Sequence, residues 1–389
     1  MKEAILALNV GSSSLKLAAF DATTLDPVLR AGVTGIGCDA RATFEMPVGI
    51  RPDTPVTPAI ANIEEAAHWL LDILQRHCPD LHIVAAGHRV VHGGTRFDRP
   101  VRIDAAVLAG LEALMPLAPA HQPAAIAVIR SMSMRLPGTP QIACFDTAFH
   151  RTQPKLSQWY ALPRAMSEAG IVRIGFHGIS YEYVASVLSV IAGSAAHDKV
   201  VVAHLGHGAS VCAMRDLRSV ATSMGLTPLD GLMMGTRCGA IDPGVLLHLL
   251  QEQRMGVQEL ADLLGNRSGL LGVSGISDDV QVLEASDDPR AREALDMFAE
   301  RAACTIAAQA PLLDGLQALV FTGGIGEHAS GMRRRICDRL AWLGLTLDED
   351  ANLRHARRID REDASVRVYV IPTNEEIVIA RAVRRVLLC

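Results

Sequence analysis

Two stretches half a chain apart carry the same hydropathy pattern. Residues 3–21, EAILALNVGSSSLKLAAFD, and residues 199–216, KVVVAHLGHGASVCAMRD, each read as an apolar run, a glycine-containing polar turn and a second apolar run. That pattern predicts a β-hairpin, and its recurrence at the heads of two similar-sized halves predicts a duplicated domain. Between the hairpins, Ile63, Ala66, Ala67, Leu70, Leu71 and Leu74 fall at helical spacing within 61–78. A strand from Leu81 to Ala86 runs into GHRVVHGG (87–94), and one from Gln141 to Phe145 runs into DTAFH (146–150). The second half follows the same plan, with helices near 243–264 and 289–313, a strand at 317–322 and the turn TGGIGEH (322–328). Strand VRVYVIP (366–372) and helix NEEIVIARAVRRVLL (374–388) close the chain. We place the domain boundary near residue 150, giving an N-terminal domain of 1–150, joined by the C-terminal helix 374–389, and a C-terminal domain of 151–373. Polar residues gather at strand ends, the ligand-binding edge of open α/β sheets.

Composition narrows the reading. At 389 residues the chain exceeds a typical single core, in keeping with two domains. Apolar content of 49% and charge of 20% fit a globular protein, and no apolar run reads as long enough to span a bilayer. The stretch from Ile5 to Val10 is too short for a signal sequence and reads as a buried strand. Eight cysteines, from Cys38 to Cys389, show no CxxC pair and no metal-ligand spacing, which implies a reducing, cytoplasmic setting. A net charge of −5 without long basic blocks argues against a nucleic-acid partner. The run Arg333, Arg334, Arg335 reads as a solvated helix face.

The candidate chemistry sits in the turns. NVGSSSLK (9–16) offers Asn9, Gly11, three hydroxyls and Lys16. The turn at Gly206, His207 and Gly208 and the segment TGGIGE (322–327) bring further glycines to strand ends. Any one of these could be an ordinary tight turn; together they point to phosphate binding by exposed backbone N–H groups. Arg89 and Arg237 are bracketed by glycines and apolar residues that would leave a guanidinium poorly solvated, so each wants an anion. Two such forks could hold a carboxylate and a transferring phosphoryl group. His177 stands at the start of a helix with Ser180 as a plausible cap. It reads either as a structural histidine or as a donor to phosphoryl oxygens. Asp146 and Glu375 are the carboxylates best placed for magnesium, against the plainer alternatives of turn capping and helix-dipole complementarity.

In this order, LNVGSSSLK, GHRVVHGG, CFDTAFH, GFHGIS, TPLDGLMMGTRCGAIDPG, FTGGIGE and IPTNEEIVIAR resemble the acetate kinase family, the acetate and propionate kinases of the acetate and sugar kinase, Hsp70 and actin superfamily. The resemblance implies an α/β fold of two ribonuclease-H-like domains, each of duplicated βββαβαβα type, with an active-site cleft between them. It implies a homodimer and reversible magnesium-dependent phosphoryl transfer between ATP and acetate, giving acetyl phosphate and ADP, with propionate also possible and Mn2+ able to replace Mg2+. Carried over position by position, it implies that Arg89 and Arg237 bind the substrate carboxylate and phosphoryl group and that His177 stabilises the transition state. Asn9, Asp146 and Glu375 are implied in metal and phosphate placement. The acyl pocket would fall on Val91, Leu117, Phe176 and Pro228, with auxiliary histidines at His121 and His204. Nucleotide contacts would come from Lys16, His204, Gly206, His207, Gly208, Asp279, Gln281, Gly323, Gly324, Ile325 and Gly326.

Three departures from the family pattern stand out. His207 and Gln122 replace the usual Asn residues, and in SGISDDVQ (274–281) Asp278 replaces Ser and Gln281 replaces the Arg that flanks the adenine. Loss of a cation that stacks on a base implies weaker ATP affinity, relaxed base choice or another phosphoryl donor such as pyrophosphate. The rival readings are a kinase for butyrate or another short carboxylate, and a nucleotide-driven clamp without catalysis. Paired arginines with His177 argue against the clamp, which needs no second anion site.

Overall fold

A computed structural model describes residues 2–11, 13–46 and 57–388. Ser12, one of the three hydroxyls of the first turn, and Cys389 lie outside the described residues. The chain divides into two compact units: Met1–Phe149 with Gly178–Tyr183 and Asn374–Cys389, and His150–His177 with Val184–Thr373. The short segment Gly178–Tyr183, which belongs with the first unit, has no compositional mark in the sequence.

The first unit holds a seven-stranded sheet of β1 (Lys2–Val10), β2 (Ser14–Asp21), β3 (Pro27–Thr34), β4 (Arg41–Glu45), β5 (Leu81–Val90), β6 (Val101–Arg102) and β7 (Gln141–Phe145), in the order β4-β3-β2-β1-β5-β7-β6. The β1–β2 hairpin pairs Asn9 with Lys16 across its mouth, and β5 runs parallel to both β1 and β7. Helices Ile63–His77 and Gln122–Arg135 contribute Ala66, Leu70, Leu74, Val128 and Met132 to the core on one face. Helix Glu375–Leu387 contributes Val378, Ile379, Ala382 and Val383 to the core on the other. Gly87 makes that second packing possible: a Cβ there would lie 2.4 Å from Ile379 Cγ2 and 2.5 Å from Val383 Cγ2. The glycine of GHRVV is thus where the C-terminal helix meets β5, and it brings Glu375, the helix's first residue, to the ends of β1 and β5.

In the second unit, β8 (Val200–Leu205), β9 (Ala209–Arg215), β10 (Arg218–Thr222), β11 (Ala318–Thr322) and β12 (Arg367–Val370) form a sheet in the order β10-β9-β8-β11-β12. Three antiparallel strands followed by two parallel ones repeat the β3-β2-β1-β5-β7 core of the first sheet, as expected of a duplication. The 25-residue helix Pro289–Leu313 packs on this sheet through Ala-rich turns that permit close approach.

Several sequence readings need correction. The helix expected over 243–264 is two, Pro243–Gln251 and Val257–Asn266. TGGIGEH is a helical turn, Gly323–His328, following directly on β11. Arg333 is fully buried, whereas Arg334 is exposed and ion-paired with Glu349, and Arg335 pairs with Asp296. Residues 178–197 do form a helical segment long and apolar enough to cross a membrane, with mean hydropathy 1.3. That segment carries Glu182, paired with Arg385, and Ile179, Tyr181 and Val184 in its first turns are buried within the protein. The seven described cysteines are all free thiols.

Candidate active site

In the first unit, strand ends gather one cation and three carboxylates. Arg89, near the end of β5, donates from Nε to Asp146 Oδ1 (2.9 Å) and from Nη2 to Asp146 Oδ2 (2.7 Å), a bidentate fork. Its Nη1 donates to Asn9 Oδ1 (3.0 Å) and lies 3.5 Å from Glu375 Oε2. Asn9 turns its amide nitrogen to Glu375 Oε2 (2.8 Å) and Glu376 Oε1 (3.0 Å). Burial opposes the charge on Arg89, but Asp146 and then Glu375 outweigh it and hold the guanidinium well above its ordinary pKa. Asn374 caps the C-terminal helix through Ile377 N–H, which fixes Glu375 and Glu376 in the first turn. The Asp146 carbonyl accepts from Gly178 N–H (2.8 Å), so the second glycine of GFHGIS anchors the end of β7.

The sequence predicts Arg89 to be a cation awaiting an anionic substrate. In the structure its fork is already taken up by a carboxylate, and Asp146, Glu375 and Glu376 gather around the one guanidinium. A phosphate would be repelled from such a cluster unless another cation came with it. The donors are all oxygens, two or three of them carboxylates, and no set of three or more His, Cys, Asp or Glu converges as a protein cage among the described residues. That chemistry fits Mg2+, which keeps its waters and takes one or two carboxylates beside substrate phosphates.

A residue whose role sequence reasoning missed is Gln122, seen only as a departure from the family pattern. Fully buried, it accepts from His92 N–H (3.2 Å) and donates to the carbonyls of His92 (3.1 Å) and Leu111 (3.3 Å), so it pins the loop after β5. Gly93 N–H donates to Thr147 Oγ1. Val91 is buried and Leu117 half-buried, both in the first unit, and His121 is the N-cap residue of helix Gln122–Arg135. Lys16 is exposed on β2, also in the first unit.

In the second unit His177, His204, Gly208, Ser210 and Arg237 come together. His177 holds a left-handed backbone (φ 58°) as the N-cap residue of helix Gly178–Ala192; Ser180 lies inside that helix and is not its cap. Such a conformation is strained for histidine and persists where the surroundings impose it. Its Nδ1 is 2.8 Å from Ser210 Oγ, and its ring stacks on His204 with centroids 4.2 Å apart. A Cβ on Gly208 would stand 3.3 Å from His177 Nε2 and 3.5 Å from Arg237 Nη1, so the β8–β9 turn presents backbone directly beside both groups. Arg237 donates to the Pro228 carbonyl (3.1 Å), and Phe176 is buried next to His177 in the chain.

Beside this cluster a groove of about 340 Å³ is lined by Gly206, His207, Asp279, Gln281, Gly324 and Ile325, all expected nucleotide contacts, together with Asp278, Val280, His328 and Ala329. Gly323 and Gly326 are buried behind this wall. Asp279 caps helix Val280–Glu284 through Gln281 N–H, which leaves its second oxygen for a ligand. Two of the departures meet: His207 Nε2 is 3.1 Å from Asp278 Oδ2. Among the described residues no Lys or Arg lines the groove.

Known proteins resemble this chain along its whole length. A family model described as the Acetokinase family matches residues 4–381. An acetate kinase of Rhodopseudomonas palustris is 49% identical, covering 99% of this chain and 98% of its own, and one of Rhizobium meliloti is 44% identical, covering 97% of each. Among solved structures, Porphyromonas gingivalis acetate kinase aligns with a TM-score of 0.85 at 34% identity, covering 99% of this chain and all of its own. A propionate kinase from Francisella tularensis aligns with a TM-score of 0.88 at 37% identity, covering 98% of each. The two sheets, their shared strand order and the residues at their ends therefore have a common explanation: this chain belongs to the Acetokinase family.

Proposed function

We propose that the protein catalyses reversible phosphoryl transfer between ATP and a short carboxylate, acetate foremost. The reading rests on one observation above the others: His177 and Arg237 stand at the glycine turn that also borders a nucleotide-sized groove. A carboxylate oxygen forms the new O–P bond as the bond from the γ-phosphorus to the β–γ bridging oxygen breaks, giving acyl phosphate and ADP. The acceptor is already ionised at neutral pH, so no general base is required. The work left to the protein is alignment and charge compensation. His177 Nε2 and the Arg237 guanidinium donate to the phosphoryl oxygens, while Gly206, Asp279, Gln281, Gly324 and Ile325 hold the nucleoside and its phosphates. Gly208, Gly323 and Gly326 allow the backbone turns to come close, His204 buttresses His177 by stacking, and Lys16 is a further cation for the nucleotide phosphates.

Asn9, Asp146 and Glu375 would hold Mg2+ or Mn2+, which supplies compensation for phosphate charge when bound. Arg89 keeps those carboxylates in register and meets the acyl phosphate or carboxylate once the excess negative charge is offset. Val91, Leu117, Phe176 and Pro228 supply apolar contacts to the acyl chain, with His121 nearby in sequence as a further donor. The enzyme works as a cytoplasmic homodimer.

Incubation with ATP, acetate, Mg2+ and hydroxylamine tests the reading: acetyl hydroxamate must form, must vanish with chelator and must return with Mg2+ or Mn2+. Nucleotide hydrolysis without hydroxamate would favour the clamp instead. The likeness to a propionate kinase supports propionate as a second substrate, so turnover should be compared across acetate, propionate and butyrate; a hydrophobic pocket separates single methylenes only modestly. Sedimentation velocity tests the dimer.

A further inference from the structure

The largest fully buried side chain is charged. Arg333 has no exposed surface, and among the described residues no carboxylate lies within ion-pair distance of it. Instead its fork is spent on neutral acceptors. Nη1 donates to the carbonyls of Gly326 (2.9 Å) and Glu327 (2.9 Å), Nε to Asn352 Oδ1 (2.8 Å), and Nη2 to the Asn352 carbonyl (2.8 Å) and His355 Nδ1 (3.0 Å). Burial lowers its pKa to about 10, so it stays charged at neutral pH. An unpaired buried cation is costly, and apolar residues of the same volume usually serve a core as well.

What it holds is a weak helix. Gly323–His328 has three glycines in six residues, each unfavourable in a helix interior, and it forms one wall of the groove through Gly324, Ile325 and His328. Glu327 braces its start, its Oε1 accepting from Gly323 N–H (2.9 Å) and Thr373 N–H (3.0 Å). Arg333 braces its end. The same guanidinium fixes His355, whose ring packs edge-on to His328 of the groove.

We propose that Arg333 is a positioning residue for the nucleotide, setting the shape of the groove wall through the Gly326 and Glu327 carbonyls and through His355. The inference rests on the groove being the nucleotide site. Lysine keeps the charge but has one nitrogen where the fork offers three, so Arg333→Lys should raise the KM for ATP by about tenfold or more while the KM for acetate stays within about twofold. His355→Ala, an exposed site that removes a single acceptor, should raise the KM for ATP by a smaller factor in a fully folded protein. Fluorescence titration of ADP onto wild type and both variants separates the two levels of argument. If wild type binds ADP and both variants keep the wild-type KM for ATP, losing only thermal stability, Arg333 is merely structural and the proposal fails. If wild type binds no ADP, it is the reading of the groove that fails. Should Arg333→Lys not fold, His355→Ala decides alone, with an unchanged KM for ATP overturning the proposal.

Discussion

The Arg89 guanidinium lies flat against the Asp146 carboxylate, Nε 2.9 Å from Oδ1 and Nη2 2.7 Å from Oδ2, although 57 residues separate them. Asp146 is 1% exposed and the Arg89 side chain 16%. Each is therefore the other's main compensation in a poorly solvated place. Asp146→Ala should lower unfolding free energy by about 3 kcal/mol, because the guanidinium loses its bidentate partner and keeps the neutral Asn9 oxygen and the longer contact to Glu375. Asp146→Asn should preserve the packing and cost less stability, yet lower kcat by orders of magnitude through loss of a carboxylate for Mg2+. Chemical denaturation beside the hydroxamate assay would separate these effects; equal losses in both variants would contradict the assignment.

Arg237 and His177 should act on the reacting group and not on the fold. Arg237→Ala should reduce kcat by at least about a hundredfold, the scale for removing one preorganised donor to a transition state, with little change in melting temperature. Near-normal turnover in a well-folded Arg237→Ala protein would remove it from the mechanism.

His177→Asn is the informative change at the strained position, since asparagine tolerates the left-handed conformation better than other non-glycine residues. It should keep the fold and the helix start but lose the Nε2 donor beside Gly208, so that kcat falls while the KM for ATP moves little. A change confined to the KM for ATP would place His177 with the nucleotide instead.

Acid should destabilise both units through buried histidines. Burial lowers the pKa of His88 and of His150 to about 4, from an ordinary 6.5. Between those values the unfolded chain binds more protons than the folded protein. Each histidine's contribution is therefore whole above pH 6.5 and is lost as pH falls toward 4, by up to about 3 kcal/mol apiece. Urea midpoints measured from pH 7.5 to 4.5 should drop across that window. His150→Asn should flatten the drop, at the cost of the contacts His150 makes with Ser219 and the Phe176 carbonyl. A pH-independent midpoint would refute the argument.

The groove carries Asp278 and Asp279 but, among the described residues, no Lys or Arg. Gln281→Arg should lower the KM for ATP several-fold and sharpen preference for ATP over GTP, because a guanidinium can stack on the base and offset the two carboxylates. A panel of nucleoside triphosphates and pyrophosphate at fixed acetate would check it; wild type already showing low KM and strict ATP preference would show that the missing cation is of no consequence.

The sequence by itself determined the local layout: both hairpins, the strand ends that present Asn9, Arg89, Asp146 and Thr322, and the helix that opens at Glu375. Period-two and period-3.6 hydropathy and turn glycines act over a few residues, so the chain alone displays them. Tertiary structure decided which charges meet. That Arg89 is neutralised by Asp146 and then by Glu375 depends on the pairing of β5 with β7 and on the C-terminal helix packed against Gly87. That Arg333 is buried while Arg334 beside it is solvated depends on Asn352 and His355 closing over the helix face that also buries Met332, Ile336 and Cys337. Gln122 too is only a substitution in the sequence, whereas in the fold its amide satisfies the His92 backbone. The solvation of a charge is set by everything packed around it, and no short window of sequence contains that.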